Sequence, residues 1–70
     1  MKKIIFTIRE STEGGFEARS LGESIFTEAD NVEEIKTRIK EAVDCHFDDN
    51  DPDKPEIIHL HFYREEMVAA

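Results

Sequence analysis

Residues 14–35 place two turns, two short strands and a helix start in close succession, with the sequence GGFEARSLGESIFTEADNVEEI. The turns contain Gly14, Gly15 and Gly22, and glycine adopts the positive φ values that tight turns require. Between and after these turns the side chains alternate in the manner of strands. The strands that this pattern predicts cover residues 15–20 and 24–28. This order of turn, strand, turn, strand and helix constrains the fold far more than it indicates any chemistry.

A helix is predicted near residues 31–47. Asn31 or Asp30 can accept a hydrogen bond from the first amides, and each has a glutamate three positions on, which completes a capping box. Apolar residues then recur at spacings of three and four, so they share one face of the helix. The residues of this stripe are Val32, Ile35, Ile39, Ala42, Val43 and His46.

Two longer alternating runs predict a first strand near residues 2–9 and a last strand near 56–63. An acidic linker with two prolines, residues 48–55, joins the helix to the last strand. We therefore expect a single α+β domain over residues 1–70, with an ordered core at about 2–64 and a frayed end after it. The inward side chains expected to pack against the helix are Ile4, Phe6, Ile8, Phe16, Ala18, Ile58, Leu60 and Phe62.

One helix covers one face of a sheet, so the opposite face should stay open. An open face that carries isoleucines and an aromatic residue is typical of an interaction surface. A chain of 70 residues with a single cysteine also has a thin core and no internal disulfide, which favours self-association. The predicted dimer or partner face consists of Ile5, Ile57, His59, His61 and Tyr63.

The charge balance excludes some partners. Seventeen acidic residues against nine basic ones give a formal net charge of −8, which repels nucleic acid and anionic membranes and suits a basic protein partner. The alternative is that the acidity only keeps a small protein soluble.

The first apolar run stops at Ile8 before Arg9-Glu10, too short for a signal peptide or a membrane span. One unpaired thiol fits a reducing compartment, so we expect a cytoplasmic protein.

The order of elements, with these turns, resembles the HicB-like antitoxin domain from Lys2 to about Tyr63. The matching segments are GGFEA at 14–18, Leu21-Gly22, and TEADNVEE at 27–34. The chain has Leu21 where the family usually has proline, and Ala29 where it often has glycine. The resemblance implies a partial RNase H-like βββαβ fold: a three-stranded antiparallel meander, one helix on one sheet face, and a last strand parallel to the first.

The resemblance also implies a function, that of a protein that binds and blocks a small basic RNA-cleaving toxin of the HicA type. Full-length members commonly add a C-terminal DNA-binding segment, and this sequence shows none, so we expect a short, solitary form. A homodimer with no toxin partner is the alternative function. The residues expected to meet a basic toxin are Glu33, Glu34, Asp48, Asp49 and Asp51.

Three patterns raise the question of chemistry, and each has a simpler interpretation. Asp49, Asp51 and Asp53 alternate like the start of a calcium loop, but Lys54 stands where that loop needs glycine, which favours a solvated linker. His59 and His61 could share a metal with Cys45 or His46, yet surface or interface histidines are the stronger interpretation. Cys45 lies at the negative end of the helix beside Asp44, where a thiol is not activated. We therefore predict no catalytic residues, no metal, no cofactor and no enzymatic activity.

Overall fold

The computed structural model describes residues 2–64 and 67–70 of the 70-residue chain. The predicted frayed end falls partly on Glu65 and Glu66, which lie outside the described residues, and Met67 and Val68 beyond them are exposed. The elements are β1 (Lys3–Glu10), β2 (Phe16–Ser20), β3 (Phe26–Ala29), α1 (Val32–His46) and β4 (Ile57–Tyr63). This βββαβ order confirms the predicted α+β fold class. Among the described residues, no helix is long and apolar enough to span a bilayer.

The four strands form one mixed sheet with the order β3-β2-β1-β4. β1 pairs antiparallel with β2, and β2 pairs antiparallel with β3, which makes the expected meander. α1 then carries the chain back to the other side of β1, where β4 runs parallel to it. The first strand is therefore central, as the fold prediction required, and β3 and β4 are the two edges.

Helix α1 begins at a capped residue, as its sequence predicts. The Asn31 side chain accepts a 2.8 Å hydrogen bond from the backbone amide of Glu34, so Asn31 rather than Asp30 is the N-cap. The buried side chains of the helix are Ile35, Ile39 and Val43. His46, which the periodicity placed on this stripe, is instead exposed, with its Nε2 atom 3.3 Å from a carboxylate oxygen of Glu23.

The hydrophobic core lies between α1 and the sheet, centred on β1. Among the residues that the structure describes, the buried members of this core are Ile4, Phe6, Ile8, Ala18, Ile25, Ile35, Ile39, Val43 and Phe47. β4 contributes less than predicted: Ile58 and Leu60 are half-buried, and Phe62 remains 50% exposed. The prediction that Phe62 is covered by the helix is wrong, because α1 lies over β2 and β3 and its cover does not reach the far end of β4.

Candidate functional site

The face of the sheet opposite α1, hereafter the open face, is the first candidate surface. Side chains that are paired across neighbouring strands point to the same side, so the strand registers define the face. Its residues are Lys3, Ile5, Thr7, Arg9, Glu17, Arg19, Phe26, Glu28, Ile57, His59, His61 and Tyr63. All five residues of the predicted partner face are among them.

The five predicted residues lie side by side at the β1–β4 half of the open face. Ile5 is directly paired with His59 across the parallel ladder, and Ile57 and Tyr63 stand at the two ends of β4. Ile57 is 42% exposed and Tyr63 is 45% exposed, although both have large apolar surfaces. The pattern of alternation was sufficient to bring these side chains together because β4 pairs with β1 without a bulge.

Two arginines extend the open face beyond the predicted set. The guanidinium carbon of Arg9 lies 5.0 Å from the centre of the Tyr63 ring, and that of Arg19 lies 5.3 Å from the centre of the Phe26 ring. These are cation–π contacts between neighbouring strands. Sequence reasoning missed them because they depend on which strands are adjacent, although Phe26 and Arg19 could have been placed outward from alternation alone.

The charge of the open face differs from that of the whole chain. It carries the basic residues Lys3, Arg9 and Arg19 against the acidic residues Glu17 and Glu28. The open face thus has a small basic excess, whereas the chain has a formal net charge of −8. The excess of acidic over basic residues therefore lies elsewhere, mainly in the turns and the linker, since α1 has four acidic residues against three basic ones.

The predicted toxin contacts form two separate groups rather than one patch. Glu33 and Glu34 lie in the first turn of α1, whereas the linker acids Asp48, Asp49 and Asp51 follow its last turn. At 1.5 Å rise per residue, the helix separates the two groups by about 20 Å. A partner that meets both groups has to span the length of α1.

Several of these carboxylates already have partners within the chain. A carboxylate oxygen of Glu34 lies 3.1 Å from an Arg38 guanidinium nitrogen. Asp51 accepts a 2.8 Å hydrogen bond from the backbone amide of Asp53. Glu33 and Asp48 are exposed, so their carboxylates are accessible to a partner.

Lys54 organises the linker by reaching two carboxylates. Its Nζ atom lies 2.8 Å from Asp49 and 3.3 Å from Asp44. The hydrogen bonds to Asp49 and Asp44 raise the pKa of Lys54, and the same Lys54 ammonium lowers the pKa of Asp49. Nearby, the Lys2 ammonium binds the Asp53 carboxylate, and this contact raises the pKa of Lys2. The aspartates of the apparent calcium loop are thus held by lysines and backbone amides.

The histidines and the cysteine are not brought together. His59 and His61 face Ile5 and Thr7 on β1, so neither has a carboxylate directly opposite in the ladder. Cys45 is exposed on the helix. Within the part of the chain that the structure describes, no group of three or more metal-ligating side chains could hold a metal ion. The surface offers apolar, aromatic and charged contacts, which suit protein binding.

Comparison with known proteins finds two relatives whose similarity covers most of this chain. A UPF0150 protein of Archaeoglobus fulgidus is 47% identical over 51 residues, which are 73% of this chain and 76% of that relative. A UPF0150 protein of Thermotoga maritima is 38% identical over 69 residues, which are 99% of this chain and 94% of that relative. No protein-family model matches the chain, and no solved structure matches it significantly. The second alignment extends through all five elements of the fold.

Proposed function

This chain belongs to the family of UPF0150 proteins, and from that premise we propose that it is a non-catalytic protein-interaction module of the cytoplasm. Its resemblance to HicB-like antitoxins implies the partner, a small basic RNA-cleaving toxin of the HicA type, which it would bind and mask. The observation that carries this proposal is the distribution of charge. The linker carries four aspartates against one lysine, and the turns carry Glu13, Glu23 and Asp30 with no basic residue, whereas the open face has a small basic excess.

Masking requires no chemistry from this chain. An acidic body is attracted to the basic surface with which a toxin would hold RNA, and it excludes RNA by occupying that surface. Asp48 and Glu33 are exposed at the two ends of α1 and are the first carboxylates that such a partner would meet. Because exposed charges are screened beyond about 8–10 Å at physiological salt, complex formation should be faster at low ionic strength.

A pair of charge reversals tests the proposal against a HicA-like protein encoded beside this chain. Asp48→Lys should slow association more than Glu28→Lys, although both change the net charge equally, since Glu28 lies on the open face. The dissociation rate should change less than the association rate, as expected for a steering charge. Adding Asp49→Lys to Asp48→Lys should enlarge the effect. A folded candidate toxin that forms no complex even at low salt would contradict masking.

The second candidate function is a solitary homodimer with no toxin partner. The observation that favours it is the exposed apolar surface of Ile57 and Tyr63 on the open face, which is unusual for a small monomer. Light scattering at micromolar concentration should then return twice the monomer mass of 8.1 kDa. Ile57→Glu or Tyr63→Glu should weaken this dimer by placing a charge at its contact. A mass of 8.1 kDa throughout that range would exclude the homodimer.

A further inference from the structure

Strand β4 is a sheet edge that lacks the usual protection against pairing with another chain. Exposed edges are normally kept short, or carry a charge, a proline or a bulge, because their unpaired backbone groups are a template for a further strand. The other edge, β3, follows this rule, since it has four residues and includes Glu28. β4 has seven residues, and none of them is proline, glycine, aspartate, glutamate, lysine or arginine.

The side chains of β4 are incompletely covered on both faces of the sheet. On the helix side, Ile58 and Leu60 are half-buried and Phe62 is 50% exposed, because α1 lies over β2 and β3. On the open side, Ile57 and Tyr63 are exposed. A strand added beside β4 would cover apolar surface on both faces at once, and the close backbone approaches of α1 are to β2 and β3 rather than to β4.

The sequence of β4 is nearly palindromic. Ile57–Tyr63 reads IIHLHFY, so Leu60 is flanked first by two histidines and then by apolar residues on both sides. An antiparallel strand pair across a two-fold axis places each residue opposite its mirror position, so a palindrome matches itself. Residues that come opposite each other also lie on the same face of the combined sheet. Ile58 comes opposite Phe62 on the helix side, and Ile57 comes opposite Tyr63 on the open side.

We propose that β4 pairs antiparallel with β4 of a second copy, with Leu60 on the two-fold axis, so that two four-stranded sheets become one eight-stranded sheet. In this register Glu56 comes opposite Arg64 of the second copy, and the reverse pair forms at the other end. Opposite charges therefore flank an apolar centre, which is favourable in cross-strand pairs. The inference rests on the homodimer proposed above and assigns the strand that forms it.

Because the sequence of β4 is nearly palindromic, a second copy of this chain is a better partner for the strand than an unrelated strand. A single strand register pairs the apolar centre, the histidines and the terminal charges with their counterparts. That register has two-fold symmetry, so it produces a closed dimer. A partner strand of different sequence would have to supply the same pattern. Closure also leaves only the short β3 edges exposed, which limits further growth of the sheet.

Two phenylalanines with equal exposure give a matched pair of variants. Phe62 and Phe26 are each 50% exposed, but Phe62 lies on the helix side of β4 and Phe26 lies on the open face of β3. Phe62→Glu should weaken dimerisation at least about tenfold, equivalent to about 1.4 kcal/mol, while Phe26→Glu should leave it unchanged. Circular dichroism confirms that each variant is folded. A dimer weakened by Phe26→Glu and not by Phe62→Glu would overturn edge pairing in favour of a contact through the open face.

The histidines test the register itself, because His59 comes opposite His61 of the second copy. The double change His59→Lys with His61→Lys puts like charges opposite each other and should weaken the dimer about tenfold or more. The double change His59→Glu with His61→Lys makes both cross-strand pairs attractive and should restore it. Equal dimer affinity for these two variants would overturn the register centred on Leu60. A wild-type protein that stays monomeric would overturn both the pairing and the homodimer, and toxin masking would be unaffected.

Discussion

At the scale of single residues, Gly15 is the glycine whose surroundings leave least room for a side chain. Its φ is +79°, and a Cβ atom there would lie 2.7 Å from the backbone oxygen of Ala29, whereas Gly14, at φ +94°, has open space around it. Both changes to alanine should cost about 1 kcal/mol for the positive φ, and Gly15→Ala should cost about 1–3 kcal/mol more through the clash and the strain it causes. Urea unfolding of the two variants measures the difference. Equal losses would contradict the close approach of the first hairpin to β3.

Ser20 is a buried polar residue that closes the turn between β2 and β3. Its hydroxyl donates a 2.6 Å hydrogen bond to the Glu23 carbonyl and accepts a 3.2 Å bond from the Ile25 amide. Ser20→Ala leaves that buried amide without its acceptor, which should reduce the free energy of unfolding by about 1–3 kcal/mol. Ser24→Ala, at an exposed position in the same turn, should change it by less than about 0.5 kcal/mol. Thermal or urea unfolding of both variants is the measurement, and a neutral Ser20→Ala would mean that water replaces the hydroxyl.

At the scale of elements, the linker between α1 and β4 should respond to pH through Lys54. The pKa of Asp49 is lowered and that of Lys54 is raised, so their ion pair stabilises the fold above the ordinary aspartate pKa of about 3.9 and below the ordinary lysine pKa of about 10.4. Lys54→Gln should therefore lower the Tm at neutral pH, and the difference from wild type should shrink as the pH falls through the lowered pKa of Asp49. Lys40→Gln, at an exposed position on the helix, is the control. A Tm difference that is constant down to strongly acidic pH would show that Lys54 acts through packing alone.

The elements themselves could be predicted because each has a strong local signal. Alternation predicted β1 and β4, the capping pattern predicted the start of α1, and the predicted boundaries differ from the observed ones by at most two residues. The parallel placement of β4 came from the family resemblance, since alternation does not reveal which strands are neighbours. The exposure of Phe62 could not be predicted, because it depends on which strands of the sheet α1 covers.

For the candidate surfaces too, features that depend on a single strand could be predicted, and contacts between neighbouring strands could not. The open-face residues of β4 were found because every second side chain of a strand shares a face. The contact of Arg9 with Tyr63 and that of Arg19 with Phe26 were missed because each joins neighbouring strands. The separation of the two acidic groups could have been predicted, because a helix over residues 31–47 already places Glu33 and Asp48 at its opposite ends. The sequence therefore predicts which side chains share a strand face, and the fold shows which of these faces are adjacent.

At the scale of the whole molecule, the proposed functions use different parts of the surface. The proposed toxin masking would use acid at the two ends of α1, whereas the proposed self-association would use the apolar edge strand β4. Electrostatic attraction would dominate binding at the acidic surface, whereas burial of apolar side chains would dominate at β4. A basic partner is attracted to a chain with a formal net charge of −8, while two copies of that chain repel each other.

Ionic strength should therefore move the two equilibria in opposite directions. Raising the salt from low to physiological concentration screens the attraction between this chain and a basic toxin, and binding should weaken mainly through slower association. The same change screens the repulsion between two acidic copies and leaves the burial of apolar side chains along β4 intact, so the dimer should hold or tighten. Analytical ultracentrifugation for the dimer and stopped-flow mixing for the toxin complex measure the two trends on the same preparation. Glu56→Gln removes a charge pair that the edge register predicts, so it should make the dimer less stable at low salt and should slow toxin association less than Asp48→Lys does. If the dimer instead weakened with salt in parallel with the toxin complex, the two copies would be held together by charge, and the apolar edge would not be their interface.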